Sequence, residues 1–162
     1  MLQKITPKKQ LANGQRFAIV ASKYNAKYVD AMLAAAQAEI GRAGGKVDVI
    51  RVPGAFEIPV VAARLARQAR VPHHASPPMA IICLGVILRG ATTHAQHIGE
   101  AVSAALAHLQ LIHEVPVIHE VLLLENEKQA RKRCLGKKHN RGTEAAQTAI
   151  EMARVMAEIG TD

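Results

Sequence analysis

Apolar positions along the chain follow two rhythms. "RFAIVAS" (16–22) and the alternating "KVDVIRV" (46–52) read as strands, and "VIHEVLLL" (117–124) as another. "MAIICLGVIL" (79–88) is an unbroken apolar run, as a central parallel strand covered on both faces requires. Between them the period lengthens. "KYVDAMLAAAQAEIGRAGG" sets Val29, Met32, Leu33, Ala36 and Ile40 on one helical face before glycines end it. "FEIPVVAARLARQAR" (56–70) reads as a second helix, with Pro59 tolerated in its first turn. A third helix covers roughly 93–110. A last one, about 142–159, carries Ala146, Ala149, Ile150, Ala153 and Met156 on one face. In "NEKQARKR", Asn126 and Gln129 have the spacing of a capping box.

The order βαβαβαβαα predicts an α/β fold: a four-stranded parallel sheet with helices on both faces and right-handed crossovers. The expected organisation is an N-terminal arm over 1–15 and a single domain over 16–162. Neither a repeat nor a low-complexity tract is evident.

Composition narrows the class. A chain of 162 residues, 49% apolar, can bury a core as one domain. The longest apolar run, Ala80 to Leu88, is far short of the ~20 residues a membrane span needs. The basic N-terminus lacks the apolar stretch of a signal peptide, and Cys83 and Cys134 read as reduced thiols, so a cytoplasmic location is expected. The net charge of +8 invites a nucleic-acid reading, since six of the 21 basic residues fall in "RKRCLGKKHNR" (131–141). Two tyrosines, two phenylalanines and no tryptophan leave few stacking platforms, which disfavours that reading. Small anions such as phosphate suit the same charge.

In an open parallel sheet, ligands bind beyond the carboxyl ends of the strands. Those ends read "KYN", "PGAFE" and "RGATTH", each richer than a plain turn requires. "RGATTH" combines backbone N–H groups, hydroxyls and the positive end of a helix, a setting for phosphate. It lacks the pattern of a nucleotide-binding loop. His94 in the first helical turn would stand beside the anion, and an imidazole there suits proton transfer. His97 raises a metal alternative, but no third ligand is spaced to join the pair. His73 and His74 are expected to be solvated; His108, His113 and His139 read as surface or interface.

"VPGAFEIP", "GVILRGATTH", "LLLENEKQARKR" and "NRGTEAAQTAIEMA", in this order and spacing, resemble the lumazine synthase family from about Arg16 to Glu158. The resemblance implies a three-layer αβα sandwich of flavodoxin-like type. It also implies condensation of 5-amino-6-(D-ribitylamino)uracil with 3,4-dihydroxy-2-butanone 4-phosphate to 6,7-dimethyl-8-ribityllumazine, with release of phosphate and water. No cofactor and no metal is implied. Carried over by motif, Tyr24 falls at the aromatic that stacks on the pyrimidine. Ala55, Phe56 and Glu57 match the segment holding the ribityl chain and ring, and Val86, Ile87 and Leu88 the strand end reading the pyrimidine edge. Ala91 and Thr92 fall on the phosphate loop, His94 on the proton donor, and Arg133 on the arginine that grips the phosphate.

His119 lies near the start of its strand, at the wrong end of the sheet for its own site. In the family the matching residue, commonly phenylalanine, reaches a neighbour's site across a pentamer interface, and Arg133 is expected to do likewise. A homo-oligomer is therefore implied, as a pentamer or a sixty-subunit capsid, with riboflavin synthase as a further partner and neither nucleic acid nor membrane. "GKKHNRG" has the compact length of capsid-forming relatives. Pro7 argues the other way, because proline cannot donate to a ladder if the arm adds a strand. The balance leans to the capsid.

Three departures stand out. His119 replaces the usual ring, so stacking there is expected to be weaker or partly a hydrogen bond. Arg141, an accessory candidate, stands where many relatives have lysine, with a different reach and fork geometry. The loop "RVPHHASPPMA" is longer than usual. A shell protein that binds lumazine or flavin without catalysis is the main rival, and the set Glu57, Thr92, His94 and Arg133 argues against it.

Overall fold

The computed structural model describes residues 12–71, 76–136 and 139–160. The elements are β1 (Arg16–Ser22), α1 (Ala26–Arg42), β2 (Lys46–Val52), a 3-10 turn (Ala55–Glu57), α2 (Ile58–Ala69), β3 (Ile81–Leu88), α3 (His94–His113), β4 (Val117–Leu124), α4 (Glu127–Cys134) and α5 (Arg141–Ile159). His73, His74 and the segment before Ala12 lie outside the described residues. No helix among the described residues is long and apolar enough to cross a membrane.

All strands run parallel in the order β2-β1-β3-β4. One face is covered by α1, α4 and α5, whose Val29, Met32, Ile40, Ala130 and Ile150 pack on Phe17, Ile19, Ile82 and Leu84. On the other face, Ile58, Ala62, Val102 and Leu106 of α2 and α3 pack on Val20, Ile81, Cys83 and Val121. This is the expected three-layer α/β arrangement. Because β3 is sandwiched between both layers, every residue from Ile81 to Val86 is buried, which is why that stretch reads as a continuous apolar run. Each fully buried aliphatic side chain contributes about 1.5–3 kcal/mol by transfer.

Several local devices set the helices. Asn126 Oδ1 accepts from Gln129 N–H at 3.0 Å, as the spacing predicts, but Gln129 Oε1 turns to the amide of Glu125, also at 3.0 Å, and not to that of Asn126. The second helix starts later than predicted because Ala55–Glu57 wind as a 3-10 turn, with Pro59 in the first turn of α2. The third runs to His113, past the predicted end, and stops where Glu114 takes the left-handed conformation (φ 51°). In α5, a Cβ on Gly142 would stand 1.9 Å from the Met32 carbonyl oxygen, so only glycine admits this approach of α1.

The edge strand β4 is guarded. Ile81 N–H donates to Pro116 O and Arg89 N–H to Leu124 O, so even-numbered residues of β4 face β3 and odd-numbered ones face outward. Side chains meet three of the outward amides: Gln110 Oε1 accepts from Val117 (3.0 Å), His119 Nδ1 from Val121 (3.1 Å) and Gln129 Oε1 from Glu125. An edge whose amides are occupied is a poor template for another strand.

Candidate active site at the carboxyl ends of the strands

The helices that follow β1 and β3 lie on opposite faces of the sheet, so the crevice between these adjacent strands is the switch point where open α/β sheets bind ligands. Three loops converge there. After β1, Lys23 and Tyr24 donate their amides to Pro53 O (both 3.1 Å), tying the first loop to the second. Asn25, left-handed at φ 55°, donates Nδ2–H to Val86 O at 2.7 Å and so bridges α1 to the end of β3. Arg51 closes the far side, with Nη1 on Asp30 (2.6 Å) and Nη2 on the Ser22 carbonyl (2.9 Å).

In the second loop, Glu57 Oε2 accepts from Gly54 N–H at 2.8 Å, which fixes the 3-10 turn. The other carboxylate oxygen has no partner among the described residues. The rings of Tyr24 and Phe56 are 70% and 58% exposed, a cost in apolar surface that a ligand would remove. The 3-10 turn packs against α3 and β3 and so sets Glu57 beside the third loop.

In that third loop, Arg89 is held to the end of β4 by its amide on Leu124 O (2.9 Å) and by Nε, 3.0 Å from Glu125 Oε1. Gly90, Ala91, Thr92, Thr93 and His94 are exposed. Thr93 is the N-cap of α3, yet its hydroxyl makes no capping bond. The first-turn amides of a twenty-residue helix therefore keep their donor capacity, with His94 as the first helical residue.

Tyr24, Ala55, Phe56, Glu57, Ile87, Leu88, Ala91, Thr92 and His94 thus share one end of the sheet. Val86 is there too, but its carbonyl is taken by Asn25. His119 and Arg133 are elsewhere. His119 pairs with Cys83, five residues below Leu88, or about 16 Å at the usual strand rise. Helix α4 returns antiparallel to β4, so Arg133 sits exposed along the same edge. Tyr28 Oη–H donates to Glu127 Oε2 at 3.0 Å and holds α4 against α1.

Arg141 is engaged inside its own chain. It meets Glu120 through Nε (2.9 Å) and Nη2 (2.8 Å), and Nη1 lies on Glu144. Burial outweighs this pairing and pushes the Glu120 carboxyl up to about 7. Burial likewise holds the Cys83 thiol far above its usual range and lifts Cys134 to about 11, so neither is a ready nucleophile.

Sequence reasoning passed over Asn25, Gly54, Ser103 and the Arg89–Glu125 pair. Asn25 carries a signal, an Asn before a helix that admits the left-handed region. Gly54 carries one too, since Glu57 three residues on has the spacing of a carboxylate that reaches back to an N-cap amide; Ser103 and the Arg89–Glu125 pair have none, because their partners are set by the fold.

The family model for 6,7-dimethyl-8-ribityllumazine synthase matches residues 14–157. The chain is 40% identical over 147 residues to a Stenotrophomonas maltophilia (strain R551-3) protein of that name, covering 89% of this chain and 90% of the relative. It is 40% identical over 144 residues to the Xanthomonas oryzae pv. oryzae (strain PXO99A) protein of the same name, covering 87% and 89%.

Proposed function

We propose, from the premise that the chain belongs to the 6,7-dimethyl-8-ribityllumazine synthase family and works in riboflavin biosynthesis, that the three converging loops hold and join its two substrates. These are 5-amino-6-(D-ribitylamino)uracil and 3,4-dihydroxy-2-butanone 4-phosphate. One observation carries the assignment of roles: the uncapped start of α3 and the half-used carboxylate of Glu57 lie on neighbouring loops at the same end of the sheet, beside the switch point.

The phosphate is taken by the amides of Ala91, Thr92 and the first turn of α3, where the helix end favours an anion. The free oxygen of Glu57 accepts from a ribityl hydroxyl, while Tyr24 and Phe56 cover the pyrimidine. The backbone of Ile87 and Leu88 offers hydrogen bonds to the ring edge. His94 exchanges protons as the amine of one substrate condenses with the carbonyl of the other, phosphate departs and the new ring closes with loss of water.

His119 and Arg133, remote from the loops of their own chain, serve the site of an adjoining subunit in a closed homo-oligomer, a pentamer alone or within a sixty-subunit shell. Arg133 there adds a charge-assisted contact to the phosphate. Residues 16–162 act as the single functional domain. The test is to incubate purified protein with both substrates and follow lumazine fluorescence. Growth of signal only when both are present is expected; binding of lumazine without its formation would leave a shell protein without catalysis.

A further inference from the structure

An open groove of about 550 Å³ runs along the β4 edge, lined by Arg89, Gln96, Gly99, Glu100, Ser103, Val121 and Leu123. Ser103 of this lining meets His119 of β4, with Oγ and Nε2 2.8 Å apart. The protons of this contact are fixed by its neighbours. Val121 N–H points at His119 Nδ1 (3.1 Å), so Nδ1 accepts. Ser103 Oγ–H donates to the Gly99 carbonyl one turn back (2.7 Å), so Oγ has only lone pairs for the imidazole. The hydrogen between them belongs to Nε2. A charged ring would bring a second proton against Val121 N–H.

We propose that Ser103 is a positioning residue that holds the His119 ring by its Nε2–H while the Val121 amide keeps Nδ1 free of a proton, so that the neutral imidazole meets the neighbouring subunit's pyrimidine through its face and not through a hydrogen bond. This rests on the reading above that His119 reaches that site. Both ring nitrogens are used within their own subunit, which leaves the face and the C–H edge to offer across an interface. Loss of water around the half-buried ring acts in the same sense, lowering its pKa. Glu100 of α3 and Arg89 of the loop after β3 are the charged groups of the same groove, and neither is bonded to His119. Edge-strand guarding and substrate contact are thus served by one side chain.

The experiment measures KM for each substrate between pH 5.5 and 8 in Ser103→Ala, Ser103→Thr, His119→Ala, His119→Phe and the Ser103→Ala/His119→Phe pair. Ser103→Ala is expected to raise KM for the pyrimidine about three- to tenfold, as loss of one hydrogen bond allows, with little change for the butanone phosphate. Its pyrimidine KM should also climb towards the acid end of this range, where an imidazole that has left the Val121 amide can gain a proton. Ser103→Thr should restore both. In the His119→Phe background, Ser103→Ala should add nothing, since no imidazole remains to hold. A Ser103→Ala effect that persists in that background, or its absence while His119→Ala still raises the pyrimidine KM, overturns the positioning role alone. A His119→Ala protein with an unaltered pyrimidine KM removes His119 from the shared site and the proposal with it.

Discussion

Gly54 stands between the Tyr24 ring and the Glu57 carboxylate, and a Cβ on its backbone would lie 2.9 Å from both Tyr24 Cδ2 and Glu57 Oε2. The requirement is for space, since Gly54 itself is in extended backbone (φ −131°) that any residue adopts. Gly54→Ala should therefore push the ring and the carboxylate apart. Both are exposed side chains that can turn aside, so the cost should fall on the site and the melting temperature should change little. KM for the pyrimidine should rise while that for the butanone phosphate changes less. Calorimetry and steady-state kinetics on the same preparation check both.

His94→Ala should lower kcat about 10²–10⁴-fold, the usual range for loss of a general acid or base. The His94 side chain is exposed and makes no hydrogen bond among the described residues, so assembly and melting should be unaltered. A kcat equal to that of the unmodified protein would remove His94 from proton transfer.

For Arg133→Ala, the expected signature is a raised KM for the butanone phosphate, with the pyrimidine KM nearly unchanged, because a contact to one substrate is lost. Equal effects on both substrates would make Arg133 an interface residue.

Glu120 gives a prediction about pH. Its carboxyl, raised to about 7 by burial, binds a proton more tightly in the folded chain than in the unfolded one, where an ordinary Glu titrates near about 4.3. Its contribution to stability is therefore fully present below that lower value and lost as pH rises through about 7. Glu120→Gln, which cannot titrate, should flatten the dependence of melting temperature on pH over this window. An unchanged slope would mean that Glu120 keeps its charge throughout.

Much of this was legible in the chain. The bounds of β1 and β4 follow from short apolar runs and those of β2 from alternation, each between turns, and the rich strand ends marked the crevice before any geometry. What was not legible depends on partners far apart in sequence: Asn25 with Val86, Glu120 with Arg141, and Ser103 with His119. None of these side chains carries a local pattern that selects its partner; the register of β3 and β4 and the packing of α3 and α5 do. The box after Asn126 illustrates the same limit at short range. The spacing was right, but the closing amide was one residue away, because the outward-facing N–H of Glu125 competed for Gln129.

The central claim is that the loops of one subunit and the β4–α4 edge of the next form a single site. Co-expression of His94→Ala and Arg133→Ala chains tests it most directly. Assayed with the butanone phosphate well below the KM that Arg133→Ala raises, each protein alone should be nearly inactive, and co-assembled rings, verified by mass spectrometry, should regain activity. About one site in four should be intact in a random equal mixture, from the statistics of a closed ring. Mixed rings as inactive as both parents would contradict the claim and return Arg133 to its own subunit.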